Sequence, residues 1–153
     1  MKRLTLNKHI VGDTLNIELI GCIDEDSDFT EIIDTKAEKI NFNFDKVEMI
    51  NSCGIREWIK FLDQLGSRKI IYENCPQIII EQINMVHGFI RPESKLVSFY
   101  APYYCEHCDK ESKIHLLSEN VHEKKAPEVK CPYCGEDAEF DAIESSYFNF
   151  LGK

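Results

Sequence analysis

Four of the chain's seven cysteines fall into two Cys-x-x-Cys pairs, Cys105/Cys108 and Cys131/Cys134, with 22 residues between them. Each pair turns two thiolates to one side of a tight knuckle, and two knuckles complete the tetrahedron that zinc prefers. The second, Cys131-Pro132-Tyr133-Cys134-Gly135, carries just after the pair a glycine, which tolerates a positive φ. The first is Cys105-Glu106-His107-Cys108-Asp109. Cys22, Cys53 and Cys75 are scattered singly, so the pattern is not an evenly paired disulfide framework. Paired Cys-x-x-Cys in a reducing compartment points to one zinc ion held by Cys105, Cys108, Cys131 and Cys134. Four cysteines close the coordination shell, so the ion is expected to be structural, because a catalytic zinc keeps an open position. His107, His115 and His122 are substitute ligands, but His107 inside its knuckle would point away from a metal held by both cysteines, and ordinary exposed histidines are the expectation. Two redox pairs or an iron site are the competing chemistries. A thioredoxin-like motif would follow a strand in a βαβ unit, and neither pair does.

The segment around these cysteines resembles a zinc ribbon, two short hairpins clasped by the metal. Lys113–Ser118 and Glu139–Ile143 would supply strands. Such a module has too small a core to fold alone, so metal binding would contribute its folding free energy. The chain of 153 residues divides on this basis into an α/β domain over 1–100, the metal module over 101–144 and an apolar tail over 145–153. Tyr147-Phe148-Asn149-Phe150-Leu151 in that tail is too apolar to float in water and is expected to pack on the rest of the chain.

Charge narrows the partners. The net charge is −9, spread as 12 basic against 16 acidic side chains before residue 101 and 6 against 11 after it. That balance repels phosphate backbones and anionic lipid, which disfavours nucleic acid and membrane surfaces. Four thiolates and one Zn²⁺ would leave the metal site at about −2, and only Lys124, Lys125 and Lys130 offer a basic spot nearby. No apolar run approaches the length of a membrane span, and Met1-Lys2-Arg3 leads into no signal-like apolar stretch. A cytoplasmic protein with a protein partner is the expectation.

Before residue 100 strand-like and helix-like segments alternate. Leu4–Ile10 and Thr14–Ile20 flank Gly12-Asp13, a hairpin dipeptide. Asp24–Asp28 offers helix caps ahead of a helix over Phe29–Ala37. The same acidic run lacks the spacing of an EF-hand loop, so capping explains it better than calcium. Lys39–Asp45 alternates Ile40, Phe42 and Phe44 with Asn41 and Asn43, a half-buried strand. Val47–Ser52 reads as a loop. Cys53–Leu65 carries Ile55, Trp58, Ile59, Leu62 and Leu65 on one stripe, with Gly66 as its stop. Lys69–Glu73 is a short strand, Pro76 opens a helix to about Asn84, His87-Gly88-Phe89 is a turn, and Leu96–Ala101 is a last strand. The hairpin and the later crossovers together predict a mixed sheet.

This order, with Leu15-Asn16-Ile17-Glu18-Leu19-Ile20-Gly21 and Ile23-Asp24, then Ile40-Asn41-Phe42-Asn43-Phe44-Asp45, then Met49-Ile50-Asn51-Ser52-Cys53-Gly54-Ile55, resembles the STAS domain of sulphate transporters and anti-sigma factor antagonists. The resemblance covers about residues 1–100. It implies a STAS-like α/β fold in which the loop at Asn51–Gly54 and the helix after it bind a kinase or anti-sigma partner. A serine in the loop is phosphorylated in such proteins, and the charge expels the partner, since phosphate adds about −1.5 to −2 to an interface. The chain departs from the family at two positions. Asn51 stands for the usual aspartate, and Cys53 stands at the position usually phosphorylated, with Ser52 aligned to the preceding serine. Ser52 is therefore the candidate phosphate acceptor, with helix capping as its plain role. Cys53 is a candidate reactive thiol at a helix N-terminus or a small half-buried side chain.

Asn51, Ser52, Cys53, Gly54, Arg56, Glu57, Lys60 and Phe61 make up the expected partner surface. Phe61 is placed at the edge of the apolar stripe and exposed, and Trp58 in the core. No paired carboxylates, Ser-His-Asp set or glycine-rich phosphate loop stands out, so a non-enzymatic regulatory interaction module is the expected function. The alternatives are a scaffold subunit that docks a larger complex, and a thiol- or zinc-based redox sensor.

Overall fold

The computed structural model describes residues 3–151, and the chain is mixed α/β, with two sheets and four helices among those residues. β1 (Thr5–Val11) and β2 (Thr14–Ile23) form an antiparallel hairpin closed by Gly12 at φ 62° and Asp13. β3 (Lys39–Ile50), β4 (Lys69–Glu73) and β5 (Lys95–Leu96) add in parallel, giving the order β1-β2-β3-β4-β5. Alternation sets the two faces of this sheet. Leu15, Ile17 and Leu19 of β2, Ile40, Phe42 and Phe44 of β3, and Ile70 and Tyr72 of β4 are buried together. The opposite face is polar, and there Asn41 Nδ2 donates to Asn16 Oδ1 and Glu73 Oε1, each at 3.0 Å.

The helices cover the apolar face. α2 (Ser52–Gln64) buries Trp58, Phe61 and Leu62. Trp58 Nε1 donates to Tyr72 Oη at 2.9 Å and to Phe89 O at 3.2 Å, while Tyr72 Oη donates to Phe89 O at 2.6 Å. The phenol and indole are thus satisfied inside an aromatic core that also holds Phe29, Phe42 and Phe44. α1 (Thr30–Ile33) is a single turn, shorter than the expected 29–37. Arg68 Nη2 donates to Ile33 O at 3.3 Å and Thr35 O at 2.7 Å, and these bonds occupy carbonyls that a longer helix would use internally.

Three expectations need correction. The segment 47–50, read as loop, is the end of β3, paired through Val47, Met49 and Ile50 with Gly21, Cys22 and Ile23. A register shift between Glu18 and Ile20 breaks the period-2 pattern: Phe44 and Val47 are both buried, with exposed Asp45 and Lys46 between them. The expected last strand, 96–101, is split. Leu96 belongs to β5, and the chain then leaves the first sheet for β6 (Ser98–Cys105). Phe61 is 2% exposed and stacks on Phe29 with centroids 4.6 Å apart.

β6 pairs antiparallel with β7 (Lys110–Leu117) and β9 (Asp137–Phe140), and β8 (Val129–Lys130) completes the order β7-β6-β9-β8. The two sheets meet beside the end of β4. Val97 N donates to Tyr72 O, Cys75 N to Ser98 O, and Tyr100 N to Cys75 O, between 2.8 and 3.2 Å. The 100/101 division therefore lies inside β6, and Phe99, Ala101 and Tyr103 belong to the same apolar cluster as Phe42. α3 (Gln77–Met85), preceded by Pro76, sits over this junction. Of the expected tail, α4 (Glu144–Tyr147) and the 3-10 turn Phe148–Leu151 pack inward. Phe148 is fully buried against Phe99 and Phe140, and Asn84 Nδ2 donates to Tyr147 O at 2.9 Å.

Candidate functional site

Two hairpin turns bring the four cysteines together. Cys105 ends β6 and pairs across from Lys110, so Cys108 lies in the turn between β6 and β7, which Asp109 closes at φ 55°. Cys131 follows β8, and its turn closes through Gly135 N to Cys131 O at 2.9 Å and Cys131 N to Glu136 O at 2.7 Å. Gly135, at φ 81°, sits where the sequence places a left-handed residue. Tyr133 N–H donates to Cys131 Sγ at 3.4 Å. Backbone N–H groups aimed at sulfur are the electrostatic signature of a thiolate knuckle.

All four Sγ atoms lie within 4.8 Å of one another. Cys105 and Cys134 approach to 3.5 Å and Cys108 and Cys131 to 3.6 Å. These distances are far beyond a disulfide bond, and all four cysteines are free. A tetrahedron with metal–sulfur bonds of about 2.3 Å has sulfur–sulfur edges of roughly 3.8 Å, close to what the cluster presents. The group can therefore hold a metal ion. Burial and the neighbouring thiols push the Cys108 thiol up to about 12. Burial also pushes Cys131 up, but hydrogen bonds from the N–H groups of Tyr133 and Cys134 and from the Cys108 and Cys134 thiols together outweigh it and bring that thiol down to about 6. Four sulfurs so close cannot all ionise without a cation among them. His107, His115 and His122 lie outside the cluster. His115 is engaged elsewhere, with Nε2 2.8 Å from Asn74 Oδ1.

The second feature is the turn into α2. Asn51 is its N-cap, and Oδ1 accepts from Gly54 N–H at 2.7 Å. Nδ2 donates to Glu25 Oε2 at 3.1 Å, and Asn51 N–H donates to Ile23 O at 3.2 Å. One asparagine thus ties the helix start to the end of β2 and to the acidic loop. The Glu25 backbone N–H and the Asn51 amide hold the Glu25 carboxyl below the usual carboxylate range. Gly54 is buried because Ile23 passes directly over it: a Cβ built there would lie 2.1 Å from Ile23 O. Ser52, Cys53, Arg56 and Lys60 are exposed, while Asn51 and Glu57 are half-buried. Lys60 Nζ sits 3.3 Å from Glu57 Oε2. Of the eight residues expected to meet a partner, Gly54 and Phe61 face inward.

The acidic run serves local structure. Asp28 Oδ1 accepts from Thr30 N–H at 2.9 Å, and Asp24 Oδ1 accepts from Asp26 N–H at 3.0 Å. The Glu25–Asn51 bond joins residues 26 positions apart and has no local signature in the acidic run, which offers only capping and calcium readings. Sequence reasoning also missed Asn74, which at φ 54° joins both sheets: Nδ2 donates to Asn43 Oδ1, and Oδ1 accepts from Ser98 Oγ. An asparagine between a strand and Cys75-Pro76 was the available signal.

The fold and the cysteine cluster define a mixed α/β chain with a four-cysteine group able to hold a metal. No helix among the described residues is long and apolar enough to cross a membrane. No protein-family model matches the chain, and no curated protein matches it significantly.

Proposed function

We propose that the chain is a non-enzymatic regulatory interaction module of the STAS type, with one structural zinc ion on Cys105, Cys108, Cys131 and Cys134. The observation that carries the reading is the exposed pair Ser52-Cys53, projecting from a turn that Asn51 and Gly54 clamp to the end of β2. A rigid turn at a helix start, with Arg56 and Lys60 exposed beyond it, suits a protein surface docking as one unit. The partner is a kinase-like or anti-sigma-like protein. Ser52 is the switch. A phosphate there adds about −1.5 to −2 charge close to Glu25, whose carboxylate is already bonded to Asn51. Repulsion would open that bond and disturb the turn the partner reads. Four thiolates at tetrahedral spacing suit a structural zinc ion. Its role is to clasp the two turns and thereby hold β6 to β9.

The experiment is affinity capture from cytosol with wild-type and Ser52→Glu baits, each also weighed by native mass spectrometry. A kinase- or anti-sigma-type partner recovered by the wild type and lost with Ser52→Glu supports the switch. A stable complex indifferent to that change, with no phosphorylated bait, rejects the switch in favour of a fixed scaffold subunit. A native mass without one bound zinc rejects the metal.

A further inference from the structure

The polar face of the first sheet gathers lysines at one corner. Register fixes which side chains share that face, because residues paired across neighbouring strands point the same way. Thr14, Lys39 and Lys69 stand in one row across β2, β3 and β4. Asn16, Asn41, Ile71 and Lys95 stand in the next row, which extends to β5. Lys39, Lys69 and Lys95 therefore meet near the start of three parallel strands, on the side away from buried Ile40 and Ile70. Lys69 and Lys95 are exposed, and Lys39 and Ile71 are half-buried. Neighbouring strands lie about 4.8 Å apart, so the three lysines span roughly 10 Å.

This grouping works against the fold. Lys39 and Lys69 are direct cross-strand neighbours, and like charges so placed repel. Acidic side chains outnumber basic ones 27 to 18 in the chain, so a carboxylate was the commoner choice at either position. Yet among the described residues Lys39, Lys69 and Lys95 take part in no ion pair. Other lysines do: Lys8 pairs with Glu31, Lys46 with Glu18 and Lys60 with Glu57. The carboxylates of the same face stand further along the strands and are engaged, Glu18 by Lys46 and Glu73 by Asn41. A local choice that costs stability and gains no contact inside the chain marks a surface kept for something outside it.

We infer that this corner docks an extended acidic segment of a partner protein. Alternate side chains of an extended segment point the same way and recur about every 7 Å. Two or three carboxylates so spaced reach all three ammonium groups, with Ile71 as an apolar floor between them. Charge complementarity names the occupant, and the size of the patch limits it. A long polyanion would pass beyond the three lysines onto Glu18, Glu73 and a chain of net −9, which repels it. The corner lies where β3 begins, and the Asn51 turn follows where β3 ends. The two surfaces are roughly 35 Å apart, so this docking does not depend on the reading of Ser52.

The test is a titration of the full chain with capped hexaglutamate, followed by amide NMR shifts, with hexaglutamine as the uncharged probe. Saturable binding of hexaglutamate is expected, with the largest shifts at Lys39, Lys69, Ile71 and Lys95. It should weaken about tenfold from low to high salt, because exposed charges are screened. Hexaglutamine should not bind. Lys39→Gln together with Lys69→Gln should weaken hexaglutamate about tenfold or more and raise Tm, because the cross-strand repulsion is gone. Lys124→Gln together with Lys125→Gln should leave binding unchanged. No saturation at millimolar hexaglutamate, shifts centred on Lys124 and Lys125, or binding unimpaired by the change at Lys39 and Lys69 would each overturn the proposal. A lower Tm in that variant would refute the strain from which the surface is read. Tighter binding at these lysines of a six-nucleotide single strand, or of phosphatidylserine vesicles, would overturn the choice of partner.

Discussion

Replacing Gly54 by alanine isolates the contact on which the Asn51–Gly54 turn depends. A Cβ at this position would lie 2.1 Å from Ile23 O, 2.5 Å from Ile23 C and 2.9 Å from Asp24 N. All three are backbone atoms, so no side-chain rotation relieves the clash. Ile23 is itself fixed, being fully buried, paired with Ile50 and bonded through its carbonyl to Asn51 N–H. Helix and strand end must separate by about 1.3 Å or more to restore an ordinary carbon–oxygen contact. Overpacking of this kind costs roughly 1–3 kcal/mol. Separation also strains the Asn51–Ile23 bond and the Asn51 cap, each worth about 1 kcal/mol. Alanine offsets this by at most about 1 kcal/mol of helix propensity. The net is roughly 2–4 kcal/mol of destabilisation, a fall in Tm of about 4–16 °C for a chain of this size. Thermal unfolding followed by far-ultraviolet circular dichroism and by Trp58 fluorescence measures it. Gly12→Ala is the control: nothing lies within 4 Å of its Cβ, and only the left-handed φ of 62° is strained, at about 1–2 kcal/mol. If Gly54→Ala is as stable as the wild type or more so, helix propensity has won and the close approach is not what sets the turn.

The other expectations concern the core, the metal and pH. Phe61→Ala should lower stability by about 3–5 kcal/mol, as for a buried aromatic. An equilibrium denaturant curve checks it, and a small change with lost partner capture would instead make Phe61 a contact residue. If the proposed zinc is bound, Cys105→Ser or treatment with a strong chelator should lower Tm by more than about 10 °C, because a structural zinc would contribute many kcal/mol. Hydrogen exchange should locate the loss at β6, β8 and β9, and uniform protection after complete stripping would refute the clasp. Above pH 10 stability should fall. Burial raises the Tyr72 and Tyr147 hydroxyls well above their ordinary 10.0, so the unfolded chain releases these protons first. Stability is then full below pH 10 and declines above it, by up to about 1.4 kcal/mol per pH unit for each group. Tyr72→Phe should make that decline shallower in denaturant curves taken from pH 9 to 11.5, and an unchanged slope would exclude Tyr72 as a source.

What was legible in the sequence was local. The cysteine knuckles declare themselves because a Cys-x-x-Cys turn is closed by its own backbone and Gly135 supplies the positive φ within the motif. Alternation exposed the apolar face of β3 as far as Phe44, and Gly12-Asp13 marked the first hairpin. The pattern failed where distant residues decide. The register shift opposite Ile20 puts two exposed residues between Phe44 and Val47, so the continuation of β3 loses its period and reads as loop. α1 stops at Ile33 because Arg68, 35 positions later, takes that carbonyl.

Phe61 shows the same limit at the site. On a helical wheel it borders both the apolar stripe and the polar face, and nothing in α2 itself decides between them. Phe29 decides, by stacking on it from the segment ahead of α1. The consequence is functional. With Phe61 and Gly54 turned inward, the proposed partner surface would keep Asn51, Ser52, Cys53, Arg56, Glu57 and Lys60, all polar apart from the thiol. Affinity at such a surface would rest on the fixed geometry of the Asn51 turn more than on apolar area. A modification at Ser52 would therefore act by changing the shape and charge of that turn, not by covering an apolar contact.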